Sequence, residues 1–96
     1  MRTFAHMKKH VTISISGVVQ GVFFRAFTKE QADAMNISGF VRNEPDGSVY
    51  IAAEGNEEDL ETFIAWCRHG PSRARVDKCV VEEASWRGFS GFIIAR

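Results

Sequence analysis

From Val11 to Ser16 apolar and polar residues alternate, with Val11, Ile13 and Ile15 set against Thr12, Ser14 and Ser16, the period of a strand with one buried face. This predicts a first strand that runs into GVVQGVFFR at positions 17–25. Beyond it the period changes. Phe24, Phe27, Thr28, Ala32 and Met35 share one helical face, which predicts a helix over about Arg25 to Met35. Asn36 suits the left-handed residue after a helix, and Gly39 opens a new extended run. The runs Phe40 to Asn43 and Val49 to Ala53 flank a stretch in which Pro45, Asp46 and Gly47 supply the fixed φ, the side-chain acceptor and the positive φ of a tight turn. They are read as a hairpin. Asn56 as N-cap, Glu57, Glu58 and Asp59 in the first turn, and Leu60, Phe63, Ile64 and Cys67 at helical spacing predict a second helix that stops at Gly70 and Pro71. Val76, Cys79 and Val81 mark a fourth strand, with a bulge between the first two where the alternation breaks, and Phe92 and Ile94 a short fifth.

The order βαββαβ plus a terminal strand predicts an α+β fold, the ferredoxin-like split sandwich: an antiparallel or mixed five-stranded sheet with two helices on one face. In it strand one lies between strands three and four. Many unrelated functions share that architecture, so function has to come from a site.

At 96 residues the chain fits one domain, read as 10–96 behind a flexible N-terminal extension over 1–9, with Met7 as an alternative start. Lys plus Arg and Asp plus Glu number 12 each, and this zero net charge argues against a nucleic-acid backbone as partner. Any anion site must be local. Cys67 and Cys79 are too isolated for a metal knuckle, a redox pair or a disulfide framework, and are read as reduced core thiols. No apolar run reaches the length of a signal peptide or a membrane span, so a cytoplasmic location is expected. His6, His10 and His69 are scattered and read as surface residues, as are Arg73 and Arg75.

What remains is the glycine-rich stretch. A loop from strand to helix points successive N–H groups toward a helix N-terminus, where free donors and the dipole favour an anion. Gly17 and Gly21 can take positive φ, and Arg25 can offer two phosphate oxygens a planar fork of donors. The plainer reading, a bend followed by a solvated arginine, fits these residues taken alone. No Walker A lysine follows, and a dinucleotide fingerprint would need a third glycine.

GVVQGVFFR, then GFVRN at 39–43, PDGSV at 45–49, the EG pair at 54–55 and GPSRARV at 70–76 together resemble the acylphosphatase family. The likeness runs from about Val11 to Arg96. It implies a hydrolase, without metal or cofactor, that splits small-molecule acyl phosphates into a carboxylate and inorganic phosphate. By matching position, the phosphate is expected on the backbone of Val19, Gln20, Gly21, Val22, Phe23 and Phe24 and on the Arg25 side chain, with Asn43 orienting the attacking water. Gly17 and Ser48 are weaker candidates for support, Ser48 through a hydrogen bond to Asn43. Asn36 and Phe40 depart from the family's frequent glycine and tryptophan at those places, which touches packing alone. Phe23, Phe24 and Phe27 are read as core and loop packing.

The assumed strand order does not set strand two beside strand one, so Asn43 has to reach the loop from across the sheet edge or the mouth of the first helix. Two other readings stay open. An RNA-recognition module shares the element order but needs aromatics facing out of strands one and three, where Thr12, Ser14, Ser16 and Tyr50 stand. A non-catalytic anion-binding domain, like the acylphosphatase-like segments of larger maturation enzymes, would keep Arg25 without turnover. A monomer is expected, with no nucleic acid and no membrane as partner.

Overall fold

The computed structural model describes residues 7–96, and the expected extension lies outside the described residues as far as His6. The elements are β1 (Lys8–Val18), α1 (Phe24–Ala34), β2 (Ser38–Asn43), β3 (Val49–Asn56), α2 (Glu57–His69), β4 (Arg75–Ala84) and β5 (Phe92–Ile94). The sheet order is β4-β1-β3-β2-β5, antiparallel throughout except for the parallel pair β2 and β5. This is the ferredoxin-like α+β fold the periodicity predicts.

The alternation in β1 buries Val11, Ile13 and Ile15 against Val49, Ile51 and Ala53 of β3 and the helices. Helix α2 adds Leu60, Phe63 and Cys67, and α1 adds Phe24 and Ala32. Full burial of such side chains stabilises the fold by about 1.5–3 kcal/mol each for the larger ones. Thr28, also buried in α1, donates its hydroxyl to the Phe24 carbonyl at 2.8 Å, so no polar atom is stranded there. Phe27 departs from the expected helical face and is 42% exposed.

The bulge falls where the broken alternation predicts it. Ser16 faces Lys78 and Gly17 faces Val76, which leaves Asp77 as the extra residue of β4. Gly17 is needed there, because a Cβ would come within 2.1 Å of the Arg75 carbonyl oxygen. Arg75 is exposed as expected and pairs with Asp77 at 2.9 Å. Asn36 takes φ 57 after α1, as its type suggests.

Two further expectations about side chains fail. His10 is buried, 3% exposed, and its Nδ1 donates to Glu54 Oε2 at 2.7 Å, because the β1–β3 register sets these two residues opposite each other. Cys79 is half-buried where a core thiol was expected, whereas Cys67 is fully buried and burial pushes its thiol pKa up. Both cysteines are free. No helix among the described residues is long and apolar enough to cross a membrane.

Candidate active site

The strand directions gather the site. β1 and β2 end, and β3 and the hairpin turn begin, at one end of the sheet, with Ile15 opposite Val49 and Asn43 opposite Val49 on the other side. The segment 19–23 leaves β1 there, passes the start of β3 and enters α1, which packs over β2 and β5. Asn43 is thus reached across the end of β3, and β1 and β2 need not be neighbours. Gln20 fixes the crossing: its side-chain amide donates to the carbonyls of Glu44 at 2.9 Å and Ser48 at 2.8 Å, which ties the loop to the hairpin.

The loop keeps its own donors free. From Val19 through Ala26 no main-chain N–H meets an acceptor among the described residues, and the first bond of the helix runs from the Phe27 N–H to the Phe23 carbonyl. Neither a capping side chain nor an acidic residue compensates this helix start. Gly21 has φ 76 with open space where a Cβ would stand, so its backbone conformation alone asks for glycine. Phe23, the N-cap, has φ 62 and ψ 22.

A cavity of about 300 Å³ opens here, lined by Val19, Gly21, Phe23, Phe24, Arg25, Ala26, Asn43 and Ile94. Arg25 is half-buried, and among the described residues no carboxylate lies within ion-pair distance of it. Asn43 Oδ1 is buried and has no hydrogen-bond partner among the described residues. Free amides, an unpaired guanidinium and a buried orphan acceptor therefore meet in one hollow. That set can seat a tetrahedral oxyanion and present a hydrogen-bond acceptor to a small molecule beside it.

A family model, Acylphosphatase, matches residues 11–94. The chain belongs to the acylphosphatase family. It is 45% identical over 82 residues to an acylphosphatase of Geobacter metallireducens, covering 85% of this chain and 88% of that one. Among solved structures, the acylphosphatase of Bacillus subtilis superposes with a TM-score of 0.89 at 36% identity, over 94% of this chain and all of that one. Full-length HypF, in a phosphate- and nucleotide-bound form, contains a similar segment, with TM-score 0.86 and 32% identity over 99% of this chain and 12% of that one. As an acylphosphatase the protein is a hydrolase acting on small acyl phosphates.

Of the expected acylphosphatase residues, Val19, Gly21, Phe23, Phe24, Arg25 and Asn43 line the cavity. Gln20 and Val22 are loop members outside the lining, and Gln20 is placed by its tether. Ser48 does not support Asn43: its hydroxyl donates to Asp46 Oδ1 at 2.6 Å, closing the turn on itself. Gly17 belongs to the β4 bulge and lies outside the lining. Phe24 packs in the core as expected, but Phe23 is 66% exposed at the rim. Ala26 and Ile94 were not foreseen; Ile94 arrives because β5 runs parallel to β2, with Ile94 opposite Val41.

The outer face of the sheet bears on the RNA-recognition alternative. There Tyr50 and Phe40 lie beneath the Arg42 guanidinium, 4.9 and 5.4 Å from the ring centroids, and β1 contributes Thr12 and Ser14.

Proposed function

We propose that acyl-phosphate hydrolysis takes place in this cavity, with phosphate held by the amides of residues 19–24 and by Arg25, and with water oriented by Asn43. The observation that carries the proposal is the orphaned Asn43 Oδ1 in the hollow that also holds the unpaired Arg25. A buried acceptor without a partner costs about 1–3 kcal/mol, a cost that an incoming donor relieves.

The chemistry asks little more. The leaving group is a carboxylate whose conjugate acid has a pKa of about 4, so it departs without a general acid. Charge in the transition state spreads over three equatorial oxygens, which the amides and guanidinium face from one side. Water donates a hydrogen bond to Asn43 Oδ1 and attacks phosphorus in line as the bond from phosphorus to the acyl oxygen breaks. The proton passes to a phosphate oxygen of the substrate. An aspartate at position 43 would repel the dianion, which favours the neutral amide. Every group named comes from one chain, so the reading takes a monomer and calls on no cofactor.

Turnover of benzoyl phosphate by the purified protein, with and without chelator, tests this. Activity is expected in both cases. Asn43→Ala is expected to lower kcat about 10- to 100-fold while competitive inhibition by inorganic phosphate persists. Equal loss of turnover and of phosphate inhibition would reassign Asn43 to ligand holding or to the fold.

A further inference from the structure

A phosphate group accounts for only part of the cavity lining. The amides, Arg25 and Asn43 form its polar side, whereas Val19, Phe23, Phe24, Ala26 and Ile94 line the rest. Val19 and Phe24 are each 1% exposed and belong to the core beneath; Phe23 and Ile94 are 66% and 42% exposed at the mouth. They arrive from separate elements, the loop before α1 and the end of β5.

Phe23 is also conformationally expensive. A left-handed backbone is uncommon for a bulky aromatic and costs on the order of 1–3 kcal/mol. Core packing does not offset that cost, since the ring stands mostly in solvent and stacks on no aromatic partner among the described residues. The strained residue instead holds apolar surface beside the phosphate cup.

We propose that Phe23 and Ile94 form the subsite for the acyl half of the substrate, and that the preferred substrates carry an apolar acyl group, aromatic or branched. This rests on the phosphate cup proposed above. A cavity of about 300 Å³ lies at the small end of ligand sites and suits a single ring or short branched chain beside one phosphate. Arg25 is the one cation among the lining residues and is taken by the phosphate, so an acyl group with a second negative charge finds no counter-charge there.

The test compares kcat/KM for benzoyl phosphate and acetyl phosphate in wild type, Phe23→Asn and Ile94→Thr; asparagine tolerates the left-handed backbone that Phe23 holds. Wild type should favour the benzoyl substrate, and each variant should shrink that ratio about 2- to 10-fold, the range of one aromatic contact. Competitive inhibition of wild type by benzylphosphonate and methylphosphonate repeats the comparison without any substitution, and the benzyl compound should bind the tighter. A benzoyl-to-acetyl ratio equal in all three proteins, or equal inhibition by the two phosphonates, overturns the subsite and leaves the phosphate cup standing. Wild-type protein that turns over neither substrate overturns the hydrolase reading and the subsite with it.

Discussion

Two loops of this molecule carry runs of main-chain N–H groups that no main-chain carbonyl takes up, and they differ in what meets them. At one end of the sheet Glu54 projects from β3 and accepts the N–H groups of Arg87, Gly88 at 3.0 Å and Phe89 at 2.8 Å, besides His10. At the other end the run from Val19 to Ala26 meets no acceptor among the described residues and surrounds a cavity with an unpaired arginine. In the first loop the carboxylate belongs to the chain, and the cluster is a clasp on the segment before β5. In the second no group of the described residues fills the place, which the proposed function gives to the substrate phosphate. An amide cluster thus serves the fold where the sequence fills it, and under the proposed function the unfilled one serves a ligand.

The sharpest way to break this comparison is to remove the ligand-side charge geometry. Arg25→Lys keeps a positive charge but gives up the planar fork, and the expected loss is about 10²- to 10³-fold in kcat/KM. Stability should stay within about 0.5 kcal/mol, since no ion pair in the described residues depends on Arg25. Steady-state kinetics beside urea unfolding separates the two effects. A variant within ten-fold of wild type would show that the guanidinium is no part of the cup.

The self-filled loop should behave in the opposite way. Glu54→Gln puts an amide NH₂ among donors and leaves His10 without its carboxylate, and about 3 kcal/mol of stability should be lost, read as a lower urea midpoint. Burial alone would raise the Glu54 pKa, but the hydrogen bonds from His10, Arg87 and Phe89 outweigh it and hold the carboxyl below the usual value of 4.5. The folded state therefore binds the proton less readily than the unfolded one. Its stabilising effect is complete above about pH 4.5 and disappears as pH falls through the folded-state value, so wild type should lose stability in that acid range and Glu54→Gln should lose less. Parallel pH profiles would sink the clasp.

These two loops were not equally legible. The loop of the proposed cup was visible because its parts are contiguous: Gly21, a helix start and Arg25 fall within one stretch, and local pattern is what sequence carries best. The family resemblance was what read them as a phosphate site, and Gly17, read with them, serves the β4 bulge. Helix α2 was legible for the same reason, its cap, acidic first turn and apolar stripe lying side by side. The clasp was hidden, because His10 and Glu54 are 44 residues apart and meet only through strand register. Phe23 was misread as packing since an apolar residue in a loop looks like core until its backbone turns the ring outward. Ile94 depended on the parallel placement of β5, which no local period encodes.

The smallest expected effect sharpens the comparison most finely, because it loosens the proposed cup without touching a main-chain amide, a charge or the cavity lining. Gln20 spans 24 residues to Glu44 and 28 to Ser48, and holds the loop against the hairpin that carries Asn43. Gln20→Ala deletes both bonds. The two carbonyls are not stranded by this, since the Ser48 carbonyl also accepts the Glu44 N–H at 2.8 Å and the Glu44 carbonyl also accepts the Gly47 N–H at 3.0 Å. The cost should therefore sit near the lower bound for two hydrogen bonds, about 1 kcal/mol, in contrast to the buried carboxylate of the clasp. The cup should suffer more than the fold, because its donors are useful only while held in place before the anion arrives. Thermal unfolding with and without inorganic phosphate reads both quantities at once: a small drop in Tm for the free protein, and a weaker upward shift on adding phosphate than wild type shows. An undiminished phosphate shift would mean that the loop holds its shape without the tether.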